Sequence, residues 1–553
     1  MKSPTTDARV VAADRAFFAN LFASIADEMG VVLRRTAYSP NIKERRDFSC
    51  ALFDAQANMV AQAAHIPVHL GAMPMSVQAV LSRFPTMRPG DVAILNDPYA
   101  GGTHLPDITL VSPCFAGRSR KPLAYLASRA HHADVGGATP GSLPLARELF
   151  QEGLRIPPLL LCRKRVVDEG LLELLLANVR TPEERRGDLR AQLAAHSVGE
   201  SRLQEAVQEH RSQRLCAAMD DLLDYGERLM RNLIEKIPDG TYRHTDRLDD
   251  DGLGNGPLPI AVTLAIRGHE ATIDFTGTAP ACEGSLNAVE AITRSAVVYA
   301  FLCLLATPSK LHDEPLLDPP LNSGCFRPLR LVLPPDSLVN AAPGHAVSGG
   351  NVETSQRIVD VVFGALAQAL PGIVPAASQG TMNNLTLGGL QPDGAQRFAY
   401  YETMAGGMGA HARGDGASAL HAHMTNTLNT PVEALEFAYP LRVERYEIVS
   451  GTGGNGQHCG GNGLRRDLRA LVPMQGVLLT ERRVSTPPGL DGGHDGAPGQ
   501  NHLVRDGRAR RLPAKCELNL AAGDVIRVQT PGGGGYGAPA IKTNKEKTLE
   551  KEG

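Results

Sequence analysis

The chain has 553 residues, 21% of them charged and 42% hydrophobic, with a net charge of −3. That length accommodates roughly two to four domains around a substantial core. The balanced charge lacks the basic footprint of a nucleic-acid or anionic-membrane partner. The longest apolar run, residues 296–306, falls far short of the ~20 residues of a bilayer span.

Nine cysteines are scattered singly with no CxxC, and residues 1–7 carry no apolar signal-peptide core. Both point to a cytoplasmic protein whose cysteines pack as small apolar residues. With 57 Gly and 39 Pro but no Trp, the chain is expected to build many tight, ordered loops of the kind that form active sites and subunit contacts.

Residues 12–37 read as an amphipathic helix, with Phe18, Leu21, Phe22, Ile25, Met29 and Val32 at helical spacing. A polar turn at 41–47 opens into a strand ending near Phe53, and Asp47 sits at that opening, placed to pair with Arg45 or Arg46. His65 and His69 are four apart, but Pro67 between them excludes a helical metal-binding face, so each is assigned to the core or to supporting a site.

A short helix over 74–84 precedes the strand 91–95. The segment Asn96-Asp-Pro-Tyr-Ala-Gly-Gly-Thr-His-Leu-Pro-Asp107 is then a loop forced by Asp-Pro and Gly-Gly, and it leads into a second strand at 108–111. Another apolar segment, 123–127, closes on His131-His132-Ala133-Asp134. Glu148 and Glu152 are read as solvent-facing acids of a helical turn in preference to acid/base groups.

Thr181-Pro-Glu-Glu184 is a helix-start signature with Thr at the N-cap and Pro at the first position. The helical pattern continues to about 237, with Leu189, Leu193, Val198, Leu203 and Val207 in its expected buried stripe, and reads as a scaffold hairpin. Strands follow at 258–266 and 271–276, a helix at 287–306, a strand at 329–333 and a helix at 352–370. Beyond 375 the pattern is β-rich with glycine turns at 405–416, 451–463 and 532–537, and the tail is Lys/Glu-rich. The expected class is α+β with a β-rich C-terminal half: a mixed α/β N-terminal region carrying the His/Asp loops (1–175), a helical hairpin insertion (176–240), a C-terminal α+β region rich in glycine turns (241–540) and a charged tail (541–553).

Among possible chemistries, no G-x-x-x-x-G-K-[ST] phosphate loop and no G-x-S-x-G nucleophile elbow is present. The glycine clusters are read as surface turns, and ATP binding by this chain is not expected. The His/Asp loops at neighbouring strand ends remain. His104 and Asp107 flank Pro106, and a carboxylate–histidine mixture with an open position suits a catalytic divalent ion. His131 and His132 are consecutive in extended chain and point to opposite faces, so only one of them can ligate.

Several segments together resemble the hydantoinase B/oxoprolinase family: Arg46-Asp-Phe-Ser-Cys50, Ala64-His-Ile-Pro-Val-His-Leu-Gly71, Asn96-Asp-Pro-Tyr99 with Gly101-Gly-Thr-His-Leu-Pro-Asp107, and Arg129-Ala-His-His-Ala-Asp-Val-Gly-Gly137. Gln151-Glu-Gly-Leu-Arg-Ile-Pro157, Gly350-Asn-Val-Glu-Thr-Ser355, Tyr401-Glu-Thr403 and His421-Ala-His-Met-Thr-Asn-Thr427 extend the likeness over about residues 15–537.

The resemblance implies a hydrolase acting on cyclic amides (hydantoin, N-methylhydantoin, 5-oxoproline or a lactam). It implies a B-type subunit in a hetero-oligomer with an A-type ATPase subunit that binds ATP and phosphorylates the substrate. It places the ligands of one divalent metal on Asp47, His104, Asp107 and His131; mixed nitrogen and oxygen donors suit zinc or manganese, and His132 or Asp134 is expected as general base or orienting group. Acetone- and acetophenone-type carboxylase subunits are relatives, and a non-catalytic scaffold for the A-type partner is the alternative outside enzymes.

Overall fold

This computed structural model describes residues 4–63, 66–117, 119–307 and 320–539, so His65 and the charged tail at 541–553 lie outside the described residues. The chain begins with α1 (Pro4–Thr36), α2 (Pro40–Lys43), β1 (Phe48–Asp54), β2 (Met59–Gln62), α3 (Ala72–Arg83), β3 (Val92–Leu95), β4 (Asp107–Phe115), β5 (Pro122–His131), β6 (Leu159–Arg163) and β7 (Val166–Val167). These strands form one antiparallel sheet of seven in the order β2-β1-β5-β4-β3-β6-β7.

Every residue of β1 and β4 is buried, because both faces of the sheet are covered. Along β1, Phe48, Cys50 and Leu52 pack with Phe18, Phe22, Ile25 and Met29 of α1, while Ala51 and Phe53 turn to the other face against Met73, Val77 and Val80 of α3. Period-two alternation therefore still operates in a strand whose sequence reads as a nearly continuous apolar run. Residues 11–36 of α1 are long and apolar enough to cross a membrane by length and composition alone, although no continuous apolar run marks them in the sequence. One face of that helix is committed to this core.

The helical part comprises α4 (Glu169–Ala177), α5 (Pro182–His210) and α6 (Ser212–Glu235). Pro182, Glu183 and Glu184 open α5 as the sequence signature predicts, but the Thr181 hydroxyl accepts from Arg185 Nη1 (3.2 Å) and caps no backbone N–H. The buried face of α5 also differs from the leucine stripe. Leu193, Val198 and Val207 are half-buried, and Arg185, Asp188, Gln192 and His196 are turned inward among Gly187, Ala191, Ala195 and Gly199. Small residues let the helix lie close against β4 and β5, and its polar side chains reach those strands.

The remaining elements are β8 (Gly240–Leu248), β9 (Leu258–Arg267), β10 (Glu270–Asp274), α7 (Glu290–Ala306), β11 (Leu329–Val332), α8 (Ser355–Ala369), β12 (Asn384–Leu390), β13 (Arg397–Glu402), α9 (Val432–Ala438), β14 (Leu441–Ile448), β15 (Leu464–Ala470), β16 (Met474–Leu479), β17 (Gln500–Arg505), β18 (Arg508–Leu512), β19 (Lys515–Leu520) and β20 (Val525–Gln529). They form sheets ordered β11-β10-β9-β8, β13-β12-β16-β19 and β14-β15-β20-β17-β18. The class is α+β, as the alternation of periodicities predicts.

The glycine clusters expected at the surface lie instead largely inside. Residues 532–537 are all buried, and their backbones hydrogen-bond to other glycine segments: Gly533 N to Gly461 O, Gly454 N to Gly533 O and Ala410 N to Gly534 O. Backbone lies on backbone with no room for side chains. A Cβ at Gly461 would stand 1.9 Å from the Ala417 carbonyl oxygen. Gly461→Ala is therefore expected to destabilise the protein by about 1–3 kcal/mol through overpacking. Gly170→Ala in α4, where the nearest atom stands at 3.4 Å, should instead stabilise by about 0.4–1 kcal/mol. Thermal and denaturant unfolding of the two variants against the parent checks both signs.

Candidate metal centre

Antiparallel pairing puts Asp107 of β4 directly opposite His131 of β5, and pairs Phe48 of β1 with Ala130. The His131 N–H donates to the Asp47 carbonyl (3.0 Å), so Asp47, His131 and Asp107 stand in one row across three neighbouring strands. Strand register thus assembles residues that are far apart in sequence.

His104 comes from the loop between β3 and β4. The Asp97 side chain accepts from Tyr99 N–H (3.0 Å), and Asn96 Nδ2 donates to the Leu105 carbonyl (2.7 Å). Gly101 adopts φ +81° where a Cβ would meet Met75 at 2.3 Å, so both the conformation and the space require glycine. The Asp107 N–H then donates to the His104 carbonyl (3.2 Å), folding His104 back over the strand.

His104, Asp107 and His131 each offer one ligand atom, and these atoms all lie within 4.8 Å of one another. The residues are only 0%, 1% and 3% exposed. His104 Nδ1 and His131 Nε2 are buried without a hydrogen-bond partner. An unpaired buried polar atom costs about 1–3 kcal/mol, and a donor set of two imidazoles and a carboxylate that leaves such atoms free fits a divalent cation.

The electrostatics point the same way. Burial raises the pKa of Asp107, but the His104 and His69 imidazoles beside it prevail and hold the carboxyl well below its usual range. Asp107 therefore stays ionised. Burial, reinforced by the neighbouring His104 imidazole, keeps His131 well below the ordinary imidazole value and hence neutral, the form that ligates.

His69 Nε2 lies 3.4 Å from Asp107 Oδ2, and its Nδ1 lies 2.8 Å from Ser49 Oγ, consistent with the supporting role expected for it. The Thr103 hydroxyl also donates to Asp107 Oδ2. Asp47 is buried beside the triad and outside that 4.8 Å group, with its carboxylate 3.8 Å from Arg45 Nη1. Burial pushes it up to about 6 against the pull of Arg45.

His132 and Asp134, expected as general base or orienting group, face elsewhere. His132 Nε2 meets Gln192 Oε1 of α5 at 3.1 Å, and burial together with Arg185 lowers its pKa. Asp134 forms an ion pair with Arg180 (2.9 Å) and accepts the Gly136 and Arg180 N–H groups. Neither belongs to the His104–Asp107–His131 group.

The site also holds residues that sequence pattern alone does not mark. The Tyr401 ring stacks on His131 with centroids 4.6 Å apart, and Arg45 lies over the same ring at 4.7 Å. Asn41 Nδ2 approaches His131 Nδ1 (3.1 Å), and Asn351 Nδ2 approaches His104 Nε2 (3.1 Å). Glu152, expected to face solvent, is fully buried and accepts the Val347 and Ser348 N–H groups on Oε1, each at 2.8 Å. Burial pushes it up to about 7 despite those bonds. Motif segments around Asn351, Tyr401 and Glu152 were visible in the sequence, but nothing local tied them to His104 or His131.

A family model described as hydantoinase B/oxoprolinase matches residues 13–539. Over 94% of the chain it is 38% identical to 5-oxoprolinase 1 of Arabidopsis thaliana, of which it spans 41%. Over 95% of the chain it is 31% identical to a Pseudomonas sp. protein provisionally named as the B-type subunit of a D-/L-hydantoinase, of which it spans 90%. The fold is similar to the crystal structure of an ATP-dependent caprolactamase from Pseudomonas jessenii, with a TM-score of 0.88, 29% identity, and coverage of 97% of this chain and 93% of that one.

Elemental analysis of the purified chain after loading with zinc or manganese is expected to find about one ion per chain. His104→Ala and His131→Ala should both lose it, whereas His132→Ala should retain it. His69→Ala, which removes support behind Asp107, should weaken affinity about 10–100-fold.

Proposed function

The chain belongs to the hydantoinase B/oxoprolinase family, and from that premise we propose that it is the B-type subunit of an ATP-dependent enzyme that opens a cyclic amide. The substrate class is a hydantoin, N-methylhydantoin, 5-oxoproline or lactam, phosphorylated beforehand by an A-type ATPase subunit. The observation that carries the reading is the buried His104–Asp107–His131 triad with its unpartnered imidazole nitrogens.

An amide resists hydrolysis because resonance makes its carbonyl carbon a poor electrophile. Transfer of a phosphoryl group to the oxygen removes that resistance, which accounts for a need for ATP. The glycine segments of this chain turn their N–H groups to one another, as in Gly454 N to Gly533 O and Gly460 N to Gly454 O, rather than to an empty phosphate cradle. That supports assigning ATP to the partner.

The chemistry a divalent cation supplies in such a site is polarisation of a carbonyl or a lowered water pKa, from about 16 to about 7. The protein's own residues supply position and charge. Thr103 and His69 fix the Asp107 carboxylate, and Tyr401 sets the plane of the His131 ring. Arg45, held by Asn41, Thr403 and Thr427, keeps one buried positive charge beside Asp47. His132 and Asp134 act from behind, through Gln192 and Arg180, by fixing the chain that carries His131.

The test is to assay the chain with an A-type partner, ATP and a panel of hydantoins, 5-oxoproline and lactams. Ring opening should require ATP and both subunits, and His104→Ala should lower it by about a hundredfold or more, as expected for losing several kcal/mol of stabilisation at the site. Turnover that depends on bicarbonate would indicate a carboxylase instead, and full activity of His104→Ala would leave only the scaffold role.

A further inference from the structure

Where the end of β2, the turn Pro67–His69 and α7 converge, the fold leaves a cavity of about 220 Å3. Ile66, Pro67 and Leu70 line it from the turn, Leu302 from α7, and Leu321 from the chain leading to β11. The wall formed by the turn is fixed at both ends. The Ile66 N–H donates to Ser49 Oγ (3.2 Å) and the Gly71 N–H to Ser295 Oγ (2.9 Å). A Cβ at Gly71 would stand 2.7 Å from the Ser295 nitrogen, so the turn lies directly on α7. None of the lining residues belongs to the triad, and His69, on the same turn, carries its ring to Asp107 instead (3.4 Å).

Among the described residues, no charged side chain lines this cavity. Two of its polar groups, the Tyr299 hydroxyl and the Cys303 thiol one turn apart on α7, bond to each other. A third, Asn426, is exposed to solvent. Gln62 differs from these. It is paired with Ala51 in the β1–β2 ladder, is only 6% exposed, and leaves its Oε1 buried without a partner. A buried acceptor in an apolar wall is costly to leave unpaired.

We infer that this cavity is a binding site for a small uncharged molecule with an apolar body and one hydrogen-bond donor, of the class of phenols and cyclic alcohols. The donor meets Gln62 Oε1, an amide oxygen that offers lone pairs and no proton. The body packs on Ile66, Leu70, Leu302 and Leu321. An apolar cavity of about 150 Å3 takes up a benzene ring, so the space here suffices for a ring with one substituent. Phosphates and carboxylates are excluded, because the walls offer no countercharge to an ion taken out of water. The site therefore takes neither ATP nor a phosphorylated ring, and it stands whether or not the metal centre holds an ion.

The experiment measures calorimetric affinity of the full chain at pH 7 for phenol, for toluene, which has the same shape and no donor, and for benzoate, which is charged. The parent should bind phenol at millimolar concentration or below, toluene about fivefold more weakly for want of one hydrogen bond, and benzoate not at all. Gln62→Leu should bind phenol and toluene alike. Cys303→Phe, which fills the cavity from α7, should bind neither. Thermal unfolding of both variants checks that they are folded. Failure of the parent to bind phenol, equal affinity of the parent for phenol and toluene, or binding of benzoate overturns the inference. So does a phenol preference that persists in folded Gln62→Leu, or phenol binding undiminished in folded Cys303→Phe.

Discussion

The register of three antiparallel strands is the constraint on which the site depends. Asp107 opposite His131, with Asp47 beside it, follows from one pairing between β4 and β5 and one between β1 and β5. A slip of one residue would turn every side chain of β5 to the opposite face, carrying His131 toward α5 and His132 toward Asp107. The slip is opposed on both faces of the sheet. It would drive Leu126 out of the core under α1 and Ala127 out of the core under α3. Hydrophobic burial along β5 therefore determines which of two adjacent histidines faces the triad.

Placing this row inside the protein has an electrostatic consequence. Burial raises the pKa of Asp107, and the His104 and His69 imidazoles beside it outweigh burial and hold the carboxyl low. Arg45 plays the corresponding part for Asp47 less completely, since its guanidinium is also engaged by Asn41 and Thr403 and the carboxyl remains raised. Groups kept charged by neighbours, with solvent excluded, form a preorganised set of fixed charges, and such charges act far more strongly in a dry site than in water. The inward polar face of α5 belongs to the same arrangement. Gln192 bonds His132 and the Ile108 carbonyl, and Ser112 and Ser128 satisfy His196.

Much of this was legible where it depended on local pattern. The amphipathic stripe of α1, the apolar runs of β3 and β5, the breaker residues of the 96–107 loop and the barrier imposed by Pro67 each state their structure within a few residues. Opposite orientation of His131 and His132 followed from strand geometry alone. What was not legible depends on partners distant in sequence. Glu152 looks like a surface acid until the 347–348 backbone is laid against it, and Thr181 looks like a cap until Arg185 reaches back to it. The glycine clusters look like surface turns because a sequence records flexibility and not the close approach of a second backbone. The leucine stripe expected of α5 is half right for the same reason: its inward face was chosen by polar partners on β4 and β5.

The glycine segments and the site are parts of one construction. Gly407 accepts the Gln379 N–H through its carbonyl, and Gln379 Oε1 accepts from Asn383 Nδ2, which fixes the chain entering β12. The next residue, Asn384, accepts the Tyr401 hydroxyl (3.0 Å) and donates to Glu353 (2.7 Å). Tyr401 in turn lies flat against His131. A stacked ring restrains both the tilt and the distance of its neighbour, so the orientation of an imidazole on β5 is set partly by packing in the C-terminal half of the chain. Asn351, presented by the turn before α8, reaches His104 from that half as well. The N-terminal sheet supplies the row of candidate ligands, and the C-terminal half supplies the restraints that hold two of those side chains in place.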